Sequence, residues 1–291
     1  MTNVYLIDGT YELFRAYFGA PSSKNAAGQE IGASRALLRS LTMFLRDPEV
    51  THVAVAFDTV IESFRNRLFA GYKTGEGIDP LLHAQFPLAE RVTRALGLTT
   101  WSMIEFETDD AFATAAARFA EDPRVAQVRI TSPDKDFCQC VRGQRVVLFD
   151  RKEKRVTDED GVRARLGVSP GQVAAWLALV GDTADGIPGI ERWGEKSAAT
   201  VLNRYGSIAA IPDDAAQWDI AVRGKDALAA ELRKARAEAA LYETLATLRT
   251  DVPLTETLDQ LAWKPVLTPA LEALCVELNA GDVWQRLQKS V

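Results

Sequence analysis

Glu105-Phe106-Glu107-Thr108-Asp109-Asp110 is the stretch whose reading decides the fold. The run before it, Leu98 to Ile104, is largely apolar and predicts a strand. The run after it, Ala111-Phe112-Ala113-Thr114-Ala115-Ala116-Ala117, predicts a helix. Four carboxylates therefore crowd a strand-to-helix junction. In a doubly wound α/β sheet that junction is the carboxyl edge, where ligands bind. Acids in a first helical turn also satisfy free N–H groups and the helix dipole. Capping accounts for one or two of them. It does not account for four, whose mutual repulsion calls for positive charge in their midst.

Working outward, other apolar runs end the same way. Val4-Tyr5-Leu6-Ile7 stops at Asp8-Gly9, and Val53-Ala54-Val55-Ala56-Phe57 stops at Asp58. Ala126 to Thr131 is followed by Ser132-Pro133-Asp134-Lys135-Asp136, and Arg145 to Phe149 reads as a further strand. Helical patterns lie between: Tyr11 to Phe18, Ala33 to Arg46 and Phe86 to Leu96. Gly71 to Pro80 reads as a glycine-bearing loop. Strands alternating with helices predict an α/β fold with a mostly parallel central sheet flanked by helices. Past Phe149 the pattern turns to helices without strands: Asp158 to Leu166, Gly171 to Val180, one long helix from Lys225 to Leu245, and two short ones between Pro265 and Val291. Between them, Ile187 to Gly194 reads as a glycine-bearing hairpin feeding a helix through Leu202.

A chain of 291 residues holds one large domain or two modest ones. No apolar run approaches the ~20 residues of a membrane span. The N-terminus enters a strand without a basic region or signal core, so a cytoplasmic protein is expected. Cys138, Cys140 and Cys275 fit a reducing compartment. Cys138-Gln139-Cys140 lacks the spacer of zinc knuckles, and with two His a zinc site is not expected. The net charge of −6 argues against nucleic acid at first sight. Setting aside nine acids gathered in one metal site turns −6 into +3, a weakly basic body around an acidic hole.

Those nine are Asp8, Asp58, Glu107, Asp109, Asp110, Asp134, Asp136, Asp182 and Asp185. The last two form an i, i+3 pair at the end of a helix. Oxygen-only ligation without His favours hard ions, Mg²⁺ or Mn²⁺, two or more of them. Paired ions in such sites act on both oxygens of an in-line displacement at phosphorus. Arg65, Arg67 and Lys73 lie among Phe64, Phe69 and Tyr72, an interleaving that suits a phosphate backbone and stacked bases. Backbone N–H groups at the helix start after the hairpin, with Lys196, can hold a phosphate without reading a base.

These motifs resemble the structure-specific 5′-nucleases, the flap endonuclease family. The resemblance is strongest to the bacterial branch that includes the 5′→3′ exonuclease domain of DNA polymerase I and its stand-alone relatives. It is carried by Leu6-Ile7-Asp8-Gly9, Phe57-Asp58, Phe64-Arg65, Tyr72-Lys73, Glu107-Thr108-Asp109-Asp110, Asp134-Lys135-Asp136, Gly181-Asp182-Thr183-Ala184-Asp185, Gly194-Glu195-Lys196-Ser197-Ala198 and the stretch Leu245 to Leu254. The resemblance implies a PIN-like nuclease core over 1–166 with a helical arch around 64–90. It implies a helical DNA-binding region over 167–291, with a helix-hairpin-helix around 187–206 and C-terminal helices packed on the core. Asp8, Asp58, Glu107 and Asp109 would build a first metal site with Asp110 beside it; Asp134, Asp136, Asp182 and Asp185 would build a second. Lys73 would stabilise charge on the scissile phosphate. Arg65 and Arg15 would steer phosphates toward the metals. Gly189, Arg192, Gly194 and Lys196 would grip the duplex, with a K⁺ ion at the hairpin.

The implied activity is metal-dependent 5′→3′ exonuclease and flap-endonuclease cleavage that leaves 5′-phosphates. The implied substrates are DNA with a 5′ flap, nick or free 5′ end, and RNA primer–DNA. The expected state is a stand-alone, nucleoid-associated monomer. Three positions depart from the family. Glu76 and Asp79 stand where a basic residue often follows Tyr-Lys. Arg192-Trp193-Gly194 replaces Gly-x-Gly, which costs ~1 kcal/mol if φ is positive at 192. Gly186 replaces a common Asn, with little consequence expected for the metals. Two other readings compete: a non-catalytic, structure-specific DNA-binding module, and an α/β phosphatase. The second lacks its D-x-D after the first strand, since Asp8 is followed by Gly9-Thr10.

Overall fold

The apolar runs become strands and the acids sit at their ends. In a computed structural model describing residues 1–289, the chain runs β1 (Thr2–Asp8), α1 (Gly9–Gly19), α2 (Gly32–Phe44), β2 (His52–Asp58), α3 (Arg65–Leu68), α4 (Pro80–His83), α5 (Phe86–Ala95), β3 (Thr99–Met103), α6 (Thr108–Ala120), β4 (Val125–Thr131), β5 (Val146–Asp150), β6 (Arg155–Thr157), α7 (Glu159–Leu166), α8 (Val173–Val180), α9 (Glu195–Tyr205), α10 (Lys225–Lys234), α11 (Arg236–Ala246), α12 (Pro269–Glu277) and α13 (Gly281–Gln288). Ser290 and Val291, the end of the expected tail, lie outside the described residues. Two compact units share the chain. One comprises Met1–Ile61, Gly75–Ser132 and Thr250–Val291; the other comprises Glu62–Thr74 and Pro133–Arg249.

In the first unit, β3, β2, β1 and β4 lie side by side and all pair in parallel. Val4 to Ile7 and Val53 to Phe57 are at most 2% exposed, as expected for strands covered on both faces. The register sets Asp8 of β1 opposite Ala56 of β2, and Asp58 opposite Met103 of β3, so these acids end neighbouring strands at one edge. Gly9 has a steric reason for being glycine. A Cβ there would lie 2.5 Å from the Phe57 ring and 2.8 Å from the Ala56 carbonyl, so only glycine lets α1 leave β1 tight against β2. Leu37, Leu38 and Leu41 on α2 and Phe112, Ala115 and Ala116 on α6 supply buried helix faces. The C-terminal helices are pinned within this unit by ion pairs, Arg91 to Glu277 and Arg39 to Asp282, each at 2.7 Å. The Trp263 indole also donates to the Leu96 carbonyl at 2.8 Å.

In the second unit, β5 and β6 form an antiparallel pair. The strand β6 was not expected, since Arg155-Val156-Thr157 is short and polar enough to carry no strand pattern. The single helix expected from Lys225 to Leu245 is two, α10 and α11, broken at Ala235 (φ −107°, ψ 26°). No Pro or Gly marks the break. The Arg236 side chain donates to the carbonyls of Ile208 (2.6 Å) and Ile211 and to Asp213 (2.7 Å), holding the restart in place. A tryptophan cluster supports the hairpin before α9. Trp193 is buried, its indole donates to the Leu228 carbonyl at 3.1 Å, and its ring lies 6.2 Å from Trp218. Among the described residues no helix is long and apolar enough to cross a membrane.

Candidate metal centre

The first unit gathers five of the acids where strands hand over to helices. Asp8 caps α1, its Oδ1 accepting the Tyr11 N–H at 2.8 Å, while the Ser132 hydroxyl donates to its Oδ2 at 2.9 Å. The Asp58 N–H donates to the Thr10 hydroxyl, and Asp58 Oδ1 accepts the Thr108 N–H, both at 2.8 Å. Asp58 thereby ties the end of β2 to the start of α6. Glu107 and Asp110 form a capping box on α6, the Glu107 N–H donating to Asp110 Oδ2 at 3.1 Å. Asp110 is fully buried and Glu107 nearly so, while Asp109 is half-buried. Capping is therefore real here, and it engages Asp8, Asp58, Glu107 and Asp110. Ser132 and Thr10, which orient two of these acids, have no signal in the sequence beyond their place after a strand.

The second unit gathers the other four. Asp136, Asp182 and Asp185 are all buried, and one carboxylate oxygen of each lies within 4.8 Å of the others. Asp134 is exposed, and its Oδ1 accepts the Asp136 N–H at 3.0 Å. Asp182 and Asp185 do not project from a helix end as expected. They sit in a tight loop past Gly181, closed by reciprocal backbone bonds between Asp182 and Ile187 at 2.8 Å. Asp182 Oδ1 accepts the Ala184 N–H at 3.0 Å. Burial, then the charges of Asp134, Asp185 and Asp182, hold the Asp136 carboxyl well above the usual carboxylate range. Its Oδ1 is buried with no hydrogen-bond partner. A buried carboxylate oxygen without a donor is costly. An all-oxygen donor set with one orphaned oxygen fits a hard divalent cation.

Two ammonium groups approach this cluster. Lys73 Nζ pairs with Asp185 Oδ1 at 2.9 Å, its backbone N–H donates to the Asp185 carbonyl at 3.0 Å, and the Tyr72 hydroxyl donates to Asp185 Oδ2 at 3.3 Å. Lys135 Nζ pairs with Asp182 Oδ2. Burial alone would lower the Lys135 pKa, but the hydrogen bond to Asp182 and the charges of Asp182, Asp136 and Asp134 raise it. Neither Tyr72 nor Lys135 was singled out for this contact from the sequence.

Gly186 proves to be a steric requirement. It adopts φ +74°, and a Cβ on it would lie 2.2 Å from the Gly71 carbonyl oxygen. Asn tolerates that φ but not the contact. Gly186→Asn should cost about 2–3 kcal/mol, from overpacking against backbone, read as a lowered urea midpoint. An unchanged midpoint would show that the 71–73 segment can move aside.

The remaining sequence candidates fare differently. Arg65 is 1% exposed; its guanidinium donates to the carbonyls of Leu245 (2.7 Å) and Thr247 (3.1 Å) and lies 4.6 Å from the Phe64 ring centre. A side chain so enclosed braces the unit, which corrects the expectation that it steers phosphates. Arg15 is exposed and paired with Glu12. Lys196 is exposed in the first turn of α9, and Gly194 is the N-cap residue, its N–H donating to the Ser197 hydroxyl at 3.1 Å. Gly189 has φ +74°. Asp79, one of the two unexpected acids, caps α4 by accepting the Leu81 N–H at 2.8 Å. Arg192 does have a positive φ, +69°, with its side chain exposed. Arg192→Gly should therefore stabilise the protein by about 0.5–1 kcal/mol, because glycine adopts that region without strain. Thermal unfolding checks it, and a lowered Tm would mean that the Arg192 side chain contributes more than the strain costs.

Comparisons with known proteins identify the family. Residues 3–167 match the family model of the 5'-3' exonuclease N-terminal resolvase-like domain, and residues 168–268 match that of the 5'-3' exonuclease C-terminal SAM fold. A 5'-3' exonuclease of Aquifex aeolicus is 30% identical over 210 residues, covering 72% of this chain and 71% of that protein. DNA polymerase I of Mycobacterium leprae is 35% identical over 227 residues, covering 76% of this chain but 24% of the polymerase, so the chain spans about a quarter of such relatives. A bacteriophage T5 flap endonuclease, solved as a pseudo-enzyme-product complex with DNA and metal ions, has the same fold. The TM-score is 0.65 at 17% identity, with 99% of this chain and 97% of that one covered. Both halves of the family's domain pair are thus present in order, and the chain belongs to the 5'-3' exonuclease family of nucleases.

Proposed function

We propose that this chain is a Mg²⁺- or Mn²⁺-dependent nuclease that hydrolyses phosphodiesters near the 5′ end of flapped, nicked or free-ended DNA, leaving 5′-phosphates. The observation that carries the metal dependence is the buried, partnerless Asp136 Oδ1 beside Asp182 and Asp185. Asp136, Asp182 and Asp185, with Asp134, would hold one ion. Asp8, Asp58, Glu107 and Asp109, with Asp110 behind Glu107, would hold another. When bound, such ions neutralise phosphate charge and supply the Lewis acidity that phosphodiester hydrolysis needs. Lys73 would place its ammonium against the scissile phosphate; Tyr72 and the Asp185 carbonyl keep it at the acid cluster. Lys196 and the free N–H groups at the start of α9 would hold a phosphate of the duplex, with Gly189, Arg192 and Gly194 shaping the turn and K⁺ as its counter-ion. Arg15, exposed on α1, would add a phosphate contact. The protein would act as a cytoplasmic monomer.

End-labelled flap, nick, single-strand and RNA primer–DNA substrates, each with Mg²⁺, Mn²⁺ or chelator, test this on one gel. Cutting that needs a divalent ion, favours 5′-ended substrates and falls at least tenfold in Asp134→Asn is expected, since loss of a metal ligand's support costs about 10–100-fold. Tight binding of flap DNA without cleavage in either metal would overturn it.

A further inference from the structure

The carboxylates of the buried trio in the second unit differ in their partners. Asp185 receives the Lys73 ammonium and the Tyr72 hydroxyl. Asp182 receives the Ala184 N–H on Oδ1 and the Lys135 ammonium on Oδ2. Asp136 Oδ1 receives nothing. The two lysines differ in how they are held. The Lys73 backbone is fixed on both sides, its N–H on the Asp185 carbonyl and its carbonyl accepting from the Asn66 amide at 2.9 Å. Lys135 lies between Asp134 and Asp136; its carbonyl accepts the Cys138 N–H at 2.9 Å rather than a bond from its partner acid, and its side chain is about as exposed as that of Lys73, 29% against 26%. An ammonium is a strongly hydrated point charge on a flexible stem, so it can exchange protein oxygen for water cheaply. The four carboxylates Asp134, Asp136, Asp182 and Asp185 set against these two ammoniums leave two formal negative charges, the charge of one divalent ion.

We propose that Lys135 is a built-in counter-ion of this cluster: its ammonium covers Asp182 Oδ2 and withdraws to solvent when a divalent ion binds, so that Lys135 sets the affinity of the ion. This rests on the metal reading of the cluster above and assigns Lys135 a positioning role rather than contact with substrate. The pairing holds the acids together without metal and weakens ion binding by the cost of giving it up.

Mn²⁺ binding followed by electron paramagnetic resonance, without DNA, tests this, with the sites of this cluster identified as those lost in Asp136→Asn. Lys135→Met should bind Mn²⁺ there about five- to tenfold more tightly, because one charge-assisted pair no longer has to be broken. Its Tm in chelator should fall, and the rise in Tm on adding Mn²⁺ should exceed that of the parent. Lys135→Arg should restore parental affinity. Equal or weaker Mn²⁺ binding in Lys135→Met overturns the proposal. If Lys135→Met does not fold without metal, the parent still decides the matter. With its lysines reductively ¹³C-methylated, the signal that Lys135→Arg lacks should move as Mg²⁺ is added; a signal indifferent to Mg²⁺ overturns the proposal. A chain that shows this binding pattern yet cuts no DNA would defeat the functional reading and leave the role of Lys135 standing. A chain that cuts DNA while Lys135→Met binds Mn²⁺ like its parent would do the reverse.

Discussion

Asp136→Asn should reduce cleavage by at least about a hundredfold, more than the 10–100-fold typical of losing a metal ligand's outer partner, while making the metal-free protein more stable. Both effects have one cause. The Asp136 carboxyl is buried, one oxygen has no donor, and Asp134, Asp182 and Asp185 add like charge. Without a cation that carboxylate is a strain on the fold; with one it is a ligand. The sign of the pH dependence follows. Burial and repulsion hold the folded-state pKa above the unfolded value of about 3.9, so between the two the folded chain binds more protons. Stability in chelator therefore falls as pH rises from about 4 through the folded-state pKa. The amide of Asp136→Asn carries no such proton. Urea midpoints in chelator should coincide near pH 4 and separate in the variant's favour near pH 8, and saturating Mg²⁺ should stabilise the parent more than the variant. Parental cleavage rates in Asp136→Asn would remove this carboxylate from the metal centre. A variant no more stable than its parent at pH 8 would mean that something else already neutralises the charge.

The same residues show which parts of the molecule a linear reading reaches. Of the parallel strands of the first unit, β1 and β2 were legible because each is a short apolar run ending in an acid, so that period and punctuation alone fix its type and its edge; β3 and β4 carry polar residues and meet their acids two and three residues later. The convergence of Asp136, Asp182 and Asp185 was foreseen, but through the wrong geometry. A helix end was expected, and a loop closed by Asp182 and Ile187 does the work, because backbone-to-backbone closure leaves no mark on composition. The break at Ala235 was hidden for a related reason: both sides are good helix formers, and the restart is set by where the Arg236 fork finds carbonyls about 25 residues earlier in the chain. Gly186 was read only for its small consequence for the metals, and its steric constraint was not legible because the Gly71 carbonyl lies 115 positions away in sequence. The grouping of Glu62–Thr74 with Pro133–Arg249 likewise depends on contacts, such as Tyr72 to Asp185, that only folding creates.

Arg65 carries the second large effect, and it separates two readings of one side chain. Next to an aromatic and ahead of Tyr72-Lys73, it looks like a phosphate contact. In the structure it is among the largest fully buried side chains, with Nε and one terminal nitrogen donating to the carbonyls of Leu245 and Thr247. Those carbonyls stand at the end of α11 and just beyond it, where a helix leaves acceptors without intrahelical donors. The guanidinium serves them with a planar fork that a lysine cannot reproduce. Arg65→Met keeps much of the volume and removes the donors. Leaving the buried Leu245 carbonyl and the part-buried Thr247 carbonyl unpaired should cost about 2–4 kcal/mol in all, seen as a lowered urea midpoint at unchanged slope. Arg65→Lys should recover a minor part of the loss, since one ammonium cannot serve both carbonyls in the same plane. A phosphate-steering arginine would behave in the opposite way: Arg65→Met would unfold at the parent's midpoint, bind flap DNA more weakly and lose the dependence of that binding on salt that one phosphate contact contributes. Measured below its own midpoint, where the variant is still folded, Arg65→Met should instead bind DNA with the parent's salt slope, because a side chain sealed inside the protein has no counter-ion to release.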